Sequence, residues 1–439
     1  LGQDFGAHMS FRGERIYWMD TAGDAPKGTP GLPAKVDVAI VGAGYTGLTT
    51  ALHLVRAGRS VAIFDAEAPG FGASSRNGGM VGPGLHKLGI TGLTRTYGED
   101  RAVAILGEGL KALSHLEAFV ADEEIDCDLQ LTGRFRGART QAQYEASARE
   151  CDWLQAKIGL PSHHVSRADQ RSEIGSDFYR GGVVYERDGG VNPRKLLLGI
   201  AARAVAAGVQ IFAPCAVTSL RREGAAVTLN TERGTVEARE VVLATNGYSD
   251  RRSAALNARV VPLETGACAV GPLSLEQMAE LTPKGRMHGE AARIFMWYRP
   301  TPDGRSFIFG GRFGAGHMGL EAREAAFRKA ICRVFPQLDA APISHIWSGQ
   351  IAYTADHSPH FGQHDGVWMA GGYCGSGVTR SIYFATKLAR RMLGQPDSET
   401  AFDALPFKPV PFRPFAPWGA SLLMRKYQMQ DDRELKARE

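Results

Sequence analysis

Three glycine-rich stretches hold most of the residues whose types and spacing could do chemistry. The first, Gly42-Ala43-Gly44-Tyr45-Thr46-Gly47, fits the pattern G-x-G-x-x-G. In that pattern the first glycine makes a tight turn, the second admits a pyrophosphate to the backbone, and the third lets a helix pack closely on a strand. The anion then sits at a helix N-terminus, where unpaired N–H groups and the helix dipole favour it. Asp65 lies about twenty residues further on, the usual spacing for a carboxylate that accepts hydrogen bonds from a ribose diol. The second stretch, FGASSRNGGM (71–80), offers hydroxyls, an amide and bare backbone, which suits a flat ring with polar edges. The third, GGYCGSGVTRSI (371–382), presents a second helix N-terminus to a ligand. Such a terminus can stabilise charge developing on that ligand by about 0.3–2 kcal/mol.

These stretches need particular elements to position them. VDVAIVGAG (36–44) is a short β-branched run ending in glycine, and SVAIFD (60–65) is another; both predict buried strands. Between them Leu48, Ala51, Leu52 and Val55 mark one face of a helix over 45–57, closed by Gly58. Leu106, Leu110, Leu113 and Leu116 predict a long helix over 102–121. Asn192-Pro193 reads as the N-cap and first turn of a helix to about Ala207, followed by the strand VQIF. Three short strands at 215–222, 225–231 and 234–238 then form a meander leading into a further strand, EVVLATNG (240–247). Residues 260–345 alternate strands, loops and aromatics, as a mostly antiparallel second sheet would. A short amphipathic helix is expected around Leu422–Gln430, after the proline-rich ALPFKPVPFRPFAPWG. The fold class expected is α/β: a Rossmann-like dinucleotide-binding domain with a parallel sheet and β-meander, beside a second domain with a mostly antiparallel sheet.

The bulk composition limits the alternatives. The chain has 439 residues, a formal net charge of +5 and no Lys/Arg block of the nucleic-acid type. No apolar run approaches the roughly 20 residues of a membrane span. Its six cysteines show no C-x-x-C, which argues against a zinc site or a disulfide framework and favours a cytoplasmic setting. His317, His357 and His360 make no metal motif, and no metal is expected. Gly-Ala-His-Met at 6–9 has the form of a cloning scar, so the natural chain is expected to begin at Met9.

The ordered set VDVAIVGAGYTG, FGASSRNGG, VVLATNG and GGYCGSG resembles the glycine oxidase/D-amino-acid oxidase superfamily of FAD proteins, whose dinucleotide domain is of the GR2 type. WYRPTPDGRSFIFGGR (297–312) and WSGQIAYTADHSPHFG (347–362) resemble its γ-glutamylputrescine oxidase-like branch. The resemblance implies FAD, with Gly42, Gly44, Tyr45, Thr46 and Gly47 at the pyrophosphate and Asp65-Ala66 at the adenosine ribose. It places Gly72, Ala73, Ser74, Ser75, Arg76, Asn77, Gly78 and Gly79 along the pyrophosphate and isoalloxazine, with Ser75 and Arg76 nearer the phosphates. Val217 would present its backbone to adenine, and Ala244, Thr245, Asn246 and Gly247 would pass close by. Gly372, Gly375, Ser376, Gly377, Val378 and Thr379 would hold the pyrimidine edge. Asp65 stands where the family more often has Glu, and Cys374 and Ser376 where the branch has Ser and His. No cysteine flanks Tyr353-Thr354, so non-covalent flavin is expected.

The implied reaction removes hydride from a carbon beside an amine nitrogen to flavin N5. The imine then hydrolyses, and O₂ or another acceptor reoxidises the flavin. The substrate would be a γ-glutamyl-amine, a secondary amine or an N-substituted amino acid. Alternatives are a D-amino-acid dehydrogenase, a sarcosine-type oxidase, or a flavin-binding protein without catalysis. Arg312, Tyr353, Tyr298 and Tyr373 are the catalytic candidates, and Trp297, Arg299 and Arg312 the substrate-side ones. The implied domains are 36–100, 176–258 and 346–395 for FAD, and 101–175 and 259–345 for substrate. Residues 1–35 would be a cloning remnant and N-terminal extension, and 396–439 a C-terminal strap and helix. Sequence leaves the oligomeric state open.

Overall fold

The computed structural model describes residues 13–311 and 318–436. One eight-stranded sheet is built around the strand Lys35–Val41. This strand pairs in parallel with Val61–Phe64 on one side and Gly234–Leu243 on the other. Gln210–Phe212 extends the sheet beyond Val61–Phe64. Val367–Gly371 extends it beyond Gly234–Leu243, also in parallel, and His360–His364 closes that edge antiparallel. Strands buried on both faces read as continuous apolar runs. Here Val38 and Ile40 face the helices Tyr45–Arg56, Glu99–Asp122, Pro193–Ala206 and Gly377–Met392, while Ala39 and Val41 face the meander side.

The meander Val217–Glu223, Ala226–Thr231, Gly234–Leu243 is antiparallel, as expected, but its last strand is longer. The segments expected as separate strands at 234–238 and 240–247 are one ten-residue strand. Its first half pairs with the meander and its second half with the parallel sheet, so one strand serves both arrangements.

The second eight-stranded sheet runs Ile343–Tyr353, Val261–Val270, Phe307–Gly311, Trp297–Pro300, Met287–Glu290, Arg134–Gly137, Gly182–Tyr185, Ser162–Val165. It is antiparallel except where Met287–Glu290 meets Arg134–Gly137. One face packs Tyr298, Phe307, Phe309, Phe327 and Phe335 into a separate aromatic core. Within it Glu290 is almost fully buried. It pairs with Arg139, accepts from Tyr179 Oη (3.2 Å) and from the Met296 N–H (2.9 Å), and Tyr179 in turn bonds Tyr298 Oη at 2.5 Å. Removing one partner of such a pair leaves an uncompensated buried charge. Glu290→Ala is therefore expected to destabilise the fold by about 3–5 kcal/mol, read as a lowered denaturation midpoint in urea. A shift below about 1 kcal/mol would show that the network contributes little.

Candidate active site

The first glycine motif folds as its spacing requires. Lys35–Val41 ends at Gly42, whose φ of +111° turns the chain and whose N–H donates to the Phe64 carbonyl at 2.8 Å. A Cβ on Gly47 would lie 1.9 Å from the Gly42 carbonyl oxygen, so only glycine lets the helix Tyr45–Arg56 start this close to the strand. That helix begins at Gly44 with no side-chain cap, and the Tyr45 N–H donates to Ser74 Oγ at 3.1 Å. Thr46 Oγ1 meets Tyr373 Oη at 2.8 Å. Asp65 accepts from the N–H groups of Ala43 (2.6 Å) and Glu67 (3.0 Å), with Ala66 exposed beside it. Burial pushes the Asp65 carboxyl up to about 6 despite those two donors.

The second stretch is held from outside. Ala73–Ser75 forms a 3₁₀ turn. Asn77 bonds its own loop: Oδ1 accepts from Gly79 N–H at 2.7 Å, and Nδ2 donates to the Ala73 and Ser74 carbonyls at 3.0 Å. Trp347 Nε1 donates to the Arg76 carbonyl and Trp18 Nε1 to the Asn77 carbonyl, both at 2.8 Å. Arg299 Nη1 donates to the Gly79 and Val191 carbonyls, also at 2.8 Å each. The Arg76 side chain turns away from the glycine motif, to the Phe71 and Ser348 carbonyls and to Glu14. Tyr248 stacks over Gly72, 3.2 Å from where a Cβ would stand.

Ala244, Thr245, Asn246 and Gly247 carry the chain off Gly234–Leu243 past Gly42, whose Cβ would meet the Ala244 carbonyl at 3.0 Å. Asn246 Oδ1 accepts from the Gly372 N–H at 2.9 Å, tying this turn to the third stretch. There Gly372 and Gly375 have positive φ, and the helix Gly377–Met392 starts after Ser376 with no side-chain cap. Val378 and Thr379 are buried in its first turn, with Thr379 Oγ1 facing the Gly82 N–H at 3.4 Å. Val217 is buried at the start of the meander.

These features fit FAD. Two helix N-termini without N-cap side chains and a glycine-rich loop form one cradle, with the Asp65 carboxylate beside the first of them. Ser75 Oγ is buried in that loop without a hydrogen-bond partner among the described residues. A buried hydroxyl of this kind calls for a ligand or water to satisfy it.

The substrate-side candidates separate. Trp297 and Arg299 lie on one face of their strand and Tyr298 on the other. The Trp297 indole fits between Gly78 and Gly310, 2.4 and 1.9 Å from where their Cβ atoms would stand. Tyr298 is fully buried in the second core, bonded to Tyr179, and its place there is structural. Arg299 is 3% exposed and committed to backbone carbonyls, which makes it a positioning residue for the loop; burial pulls its guanidinium down to about 10. Tyr373 is buried and bridges the starts of two helices through Thr46; burial raises its phenol above the usual range. Arg312 lies outside the described residues. Tyr353 Oη stands 4.0 Å from the Cβ position of Gly375, and Lys87 Nζ is 3.7 Å from the same point and over the Phe295 ring at 5.6 Å. Sequence reasoning missed Lys87, which belongs to no motif, and the loop-holding roles of Trp18 and Trp347.

Asp65 generates a pH prediction. Burial holds this carboxyl up to about 6, and ribose hydroxyls placed here would donate better to the ionised carboxylate. FAD affinity of the apoprotein should therefore rise as pH increases from 5 to 7, by roughly tenfold, and Asp65→Asn should flatten the profile. A flat profile in the parent protein, measured by flavin fluorescence quenching, would contradict this role.

Comparison with known proteins agrees with the geometry. Residues 37–391 match a family model described as FAD dependent oxidoreductase. The chain is 29% identical over 386 residues to "Probable oxidoreductase OrdL" of Rhizobium meliloti (strain 1021), covering 87% of each chain. It is 29% identical over 390 residues to gamma-glutamylputrescine oxidoreductase of Escherichia coli (strain K12), covering 88% of this chain and 90% of that one. The crystal structure of glycine oxidase from Geobacillus kaustophilus superposes with a TM-score of 0.71 at 22% identity, covering 86% of this chain and 99% of that one. The glycine cradle and the match over most of the length agree, and the chain belongs to the D-amino-acid oxidase-type family of FAD-dependent oxidoreductases, which act on CH–NH or CH–NH₂ bonds.

Proposed function

We propose that this protein oxidises the C–N bond of an amine or amino acid that carries a carboxylate, with a γ-glutamyl-amine or an N-substituted amino acid as the best-fitting classes. The observation that carries this reading is the meeting of Lys87 and Tyr353 at Gly375, beside the uncapped N-terminus of Gly377–Met392. Lys87 is exposed, so its ammonium can meet a substrate carboxylate, while Phe295 offers an apolar face and Tyr353 a ring and a hydroxyl. The similarity to gamma-glutamylputrescine oxidoreductase supports the same substrate class.

FAD, when bound, supplies the hydride acceptor and the route to O₂ or another electron acceptor. The chain's own residues orient the substrate and set its protonation. Lys87 and Arg380 both flank the Cys374–Gly375 turn, and Arg380 is buried with its Nη2 on the Gly84 carbonyl at 2.8 Å. Two cations there disfavour an ammonium at the same place, so the amine enters neutral, the form that loses hydride. His86, next in the chain to Lys87, is buried against Ser358 and held down to about 3 by burial first and Arg380 second. It remains a neutral imidazole with no exposed face for general-base work. The same neighbourhood supports non-covalent flavin: Cys374 is buried, bonds the Gly372 carbonyl, and has its thiol pushed up by burial. A thiol kept protonated is a poor nucleophile.

Lys87→Ala should raise KM for carboxylate-bearing amines about 10–100-fold, the worth of one charged hydrogen bond, with a much smaller change for amines lacking the carboxylate. The check is anaerobic flavin bleaching across a panel of γ-glutamyl-amines, N-methyl amino acids, D-amino acids and simple amines. Equal loss on all of them, or none on any, would remove the assigned role.

A further inference from the structure

The carboxy-terminal segment divides near residue 410. Before it, Phe402, Leu405 and Phe407 are buried; Phe407 stacks on His360 with centroids 4.4 Å apart, and its carbonyl accepts from Arg259 Nε. That half straps the chain's own apolar surface. Beyond it, residues of the same kind face solvent: Phe412 is 84% exposed, Phe415 70%, Trp418 69%, Leu422 66% and Met429 55%. Of the ten exposed large hydrophobics among the described residues, six fall between 412 and 429, so this is a patch and not the scatter every surface shows.

The helix Ala416–Lys436 that carries most of the patch, longer than the one expected at 422–430, is fixed at both ends. Arg413, just before it, donates to the carbonyl and the side chain of Asn257 at 3.0 and 3.1 Å. Near its far end Asp431 accepts from Arg293 Nη1 and the Ile294 N–H, each at 2.8 Å, and Glu434 pairs with Arg293 at 2.7 Å. At 100° per residue, Trp418, Leu422 and Met429 form one narrow stripe of this helix, with Arg425 and Lys426 at its two edges, and Phe415 stands in the turn just before it. From 404 to 430 the sequence holds Lys408, Arg413, Arg425 and Lys426 and no Asp or Glu.

We propose that this face docks on an anionic lipid bilayer surface. Phe412, Phe415, Trp418 and Leu422 would enter the boundary between headgroups and acyl chains, and Lys408, Arg425 and Lys426 would meet the lipid phosphates. An exposed aromatic stripe rimmed by cations is the composition of a helix that lies in a membrane interface. A twofold dimer through the same face would set the patch against itself, cations opposite cations with no acid in the segment to answer them. No helix among the described residues is long and apolar enough to cross a membrane.

The test is co-sedimentation of the full chain with phosphatidylcholine vesicles, with and without phosphatidylglycerol, at low and high salt. Partitioning should be at least about tenfold stronger on the anionic vesicles and fall with salt. Trp418→Asp with Leu422→Asp should abolish it, leaving flavin content and activity in solution unchanged. Arg425→Glu with Lys426→Glu should weaken it about tenfold without touching the apolar stripe. Failure of the parent protein to bind anionic vesicles, or equal binding with and without phosphatidylglycerol, would overturn the proposal. So would a concentration-dependent dimer dissolved by the Trp418→Asp/Leu422→Asp variant, which would assign the face to a second copy.

Discussion

Three N–H donors from outside the 72–79 loop hold its bare backbone: the indoles of Trp18 and Trp347 and the guanidinium of Arg299. Asn77 ties the loop to itself and the Arg76 side chain ties it to the Phe71 and Ser348 carbonyls. The outside donors add to these and grip the carbonyls of Arg76, Asn77 and Gly79. Two of the three, Trp347 and Arg299, stand on the second sheet, so that sheet helps to hold the 72–79 loop. Arg299 illustrates the cost. It is buried without a carboxylate among its hydrogen-bond acceptors, and burial alone pulls its guanidinium down. Carbonyl oxygens satisfy it, in a site where a salt bridge would have drawn the charge away from the loop.

The same logic orders the glycines. Gly47 admits the Gly42 carbonyl and Gly310 admits the Trp297 indole; in each case a single methyl group would collide with an atom less than 2 Å away. Both contacts close the distance between a sheet and the next layer. The first packs helix on strand at the G-x-G-x-x-G turn, and the second packs the Trp297 indole against the loop at Gly78.

Much of this was legible in the sequence because it is local. G-x-G-x-x-G, the acid after the second strand and the strand–glycine–helix pattern at 371–382 each announce a backbone geometry within a few residues. The loop anchors are not local: Trp18 is 59 residues from Asn77, Arg299 is 220 from Gly79, and Trp347 is 271 from Arg76. No spacing rule connects them. Tyr298 was a candidate by its company, Trp297 and Arg299, yet the alternation of a strand puts it on the opposite face. Lys87 follows the loop in a segment with no pattern at all, and only the fold brings it to Gly375. The division expected between 238 and 240 is absent: exposed Arg239 stays within one continuous strand, because the meander pairing and the parallel pairing meet on that strand.

The cradle is proposed to hold FAD without a covalent bond. Acid treatment of the purified protein, followed by chromatographic identification of what is released, measures this directly. The expected result is a yellow protein that releases about one FAD per chain and leaves colourless polypeptide. A protein that carries no flavin and binds none from solution, or one whose flavin stays with the precipitated polypeptide, would contradict the account.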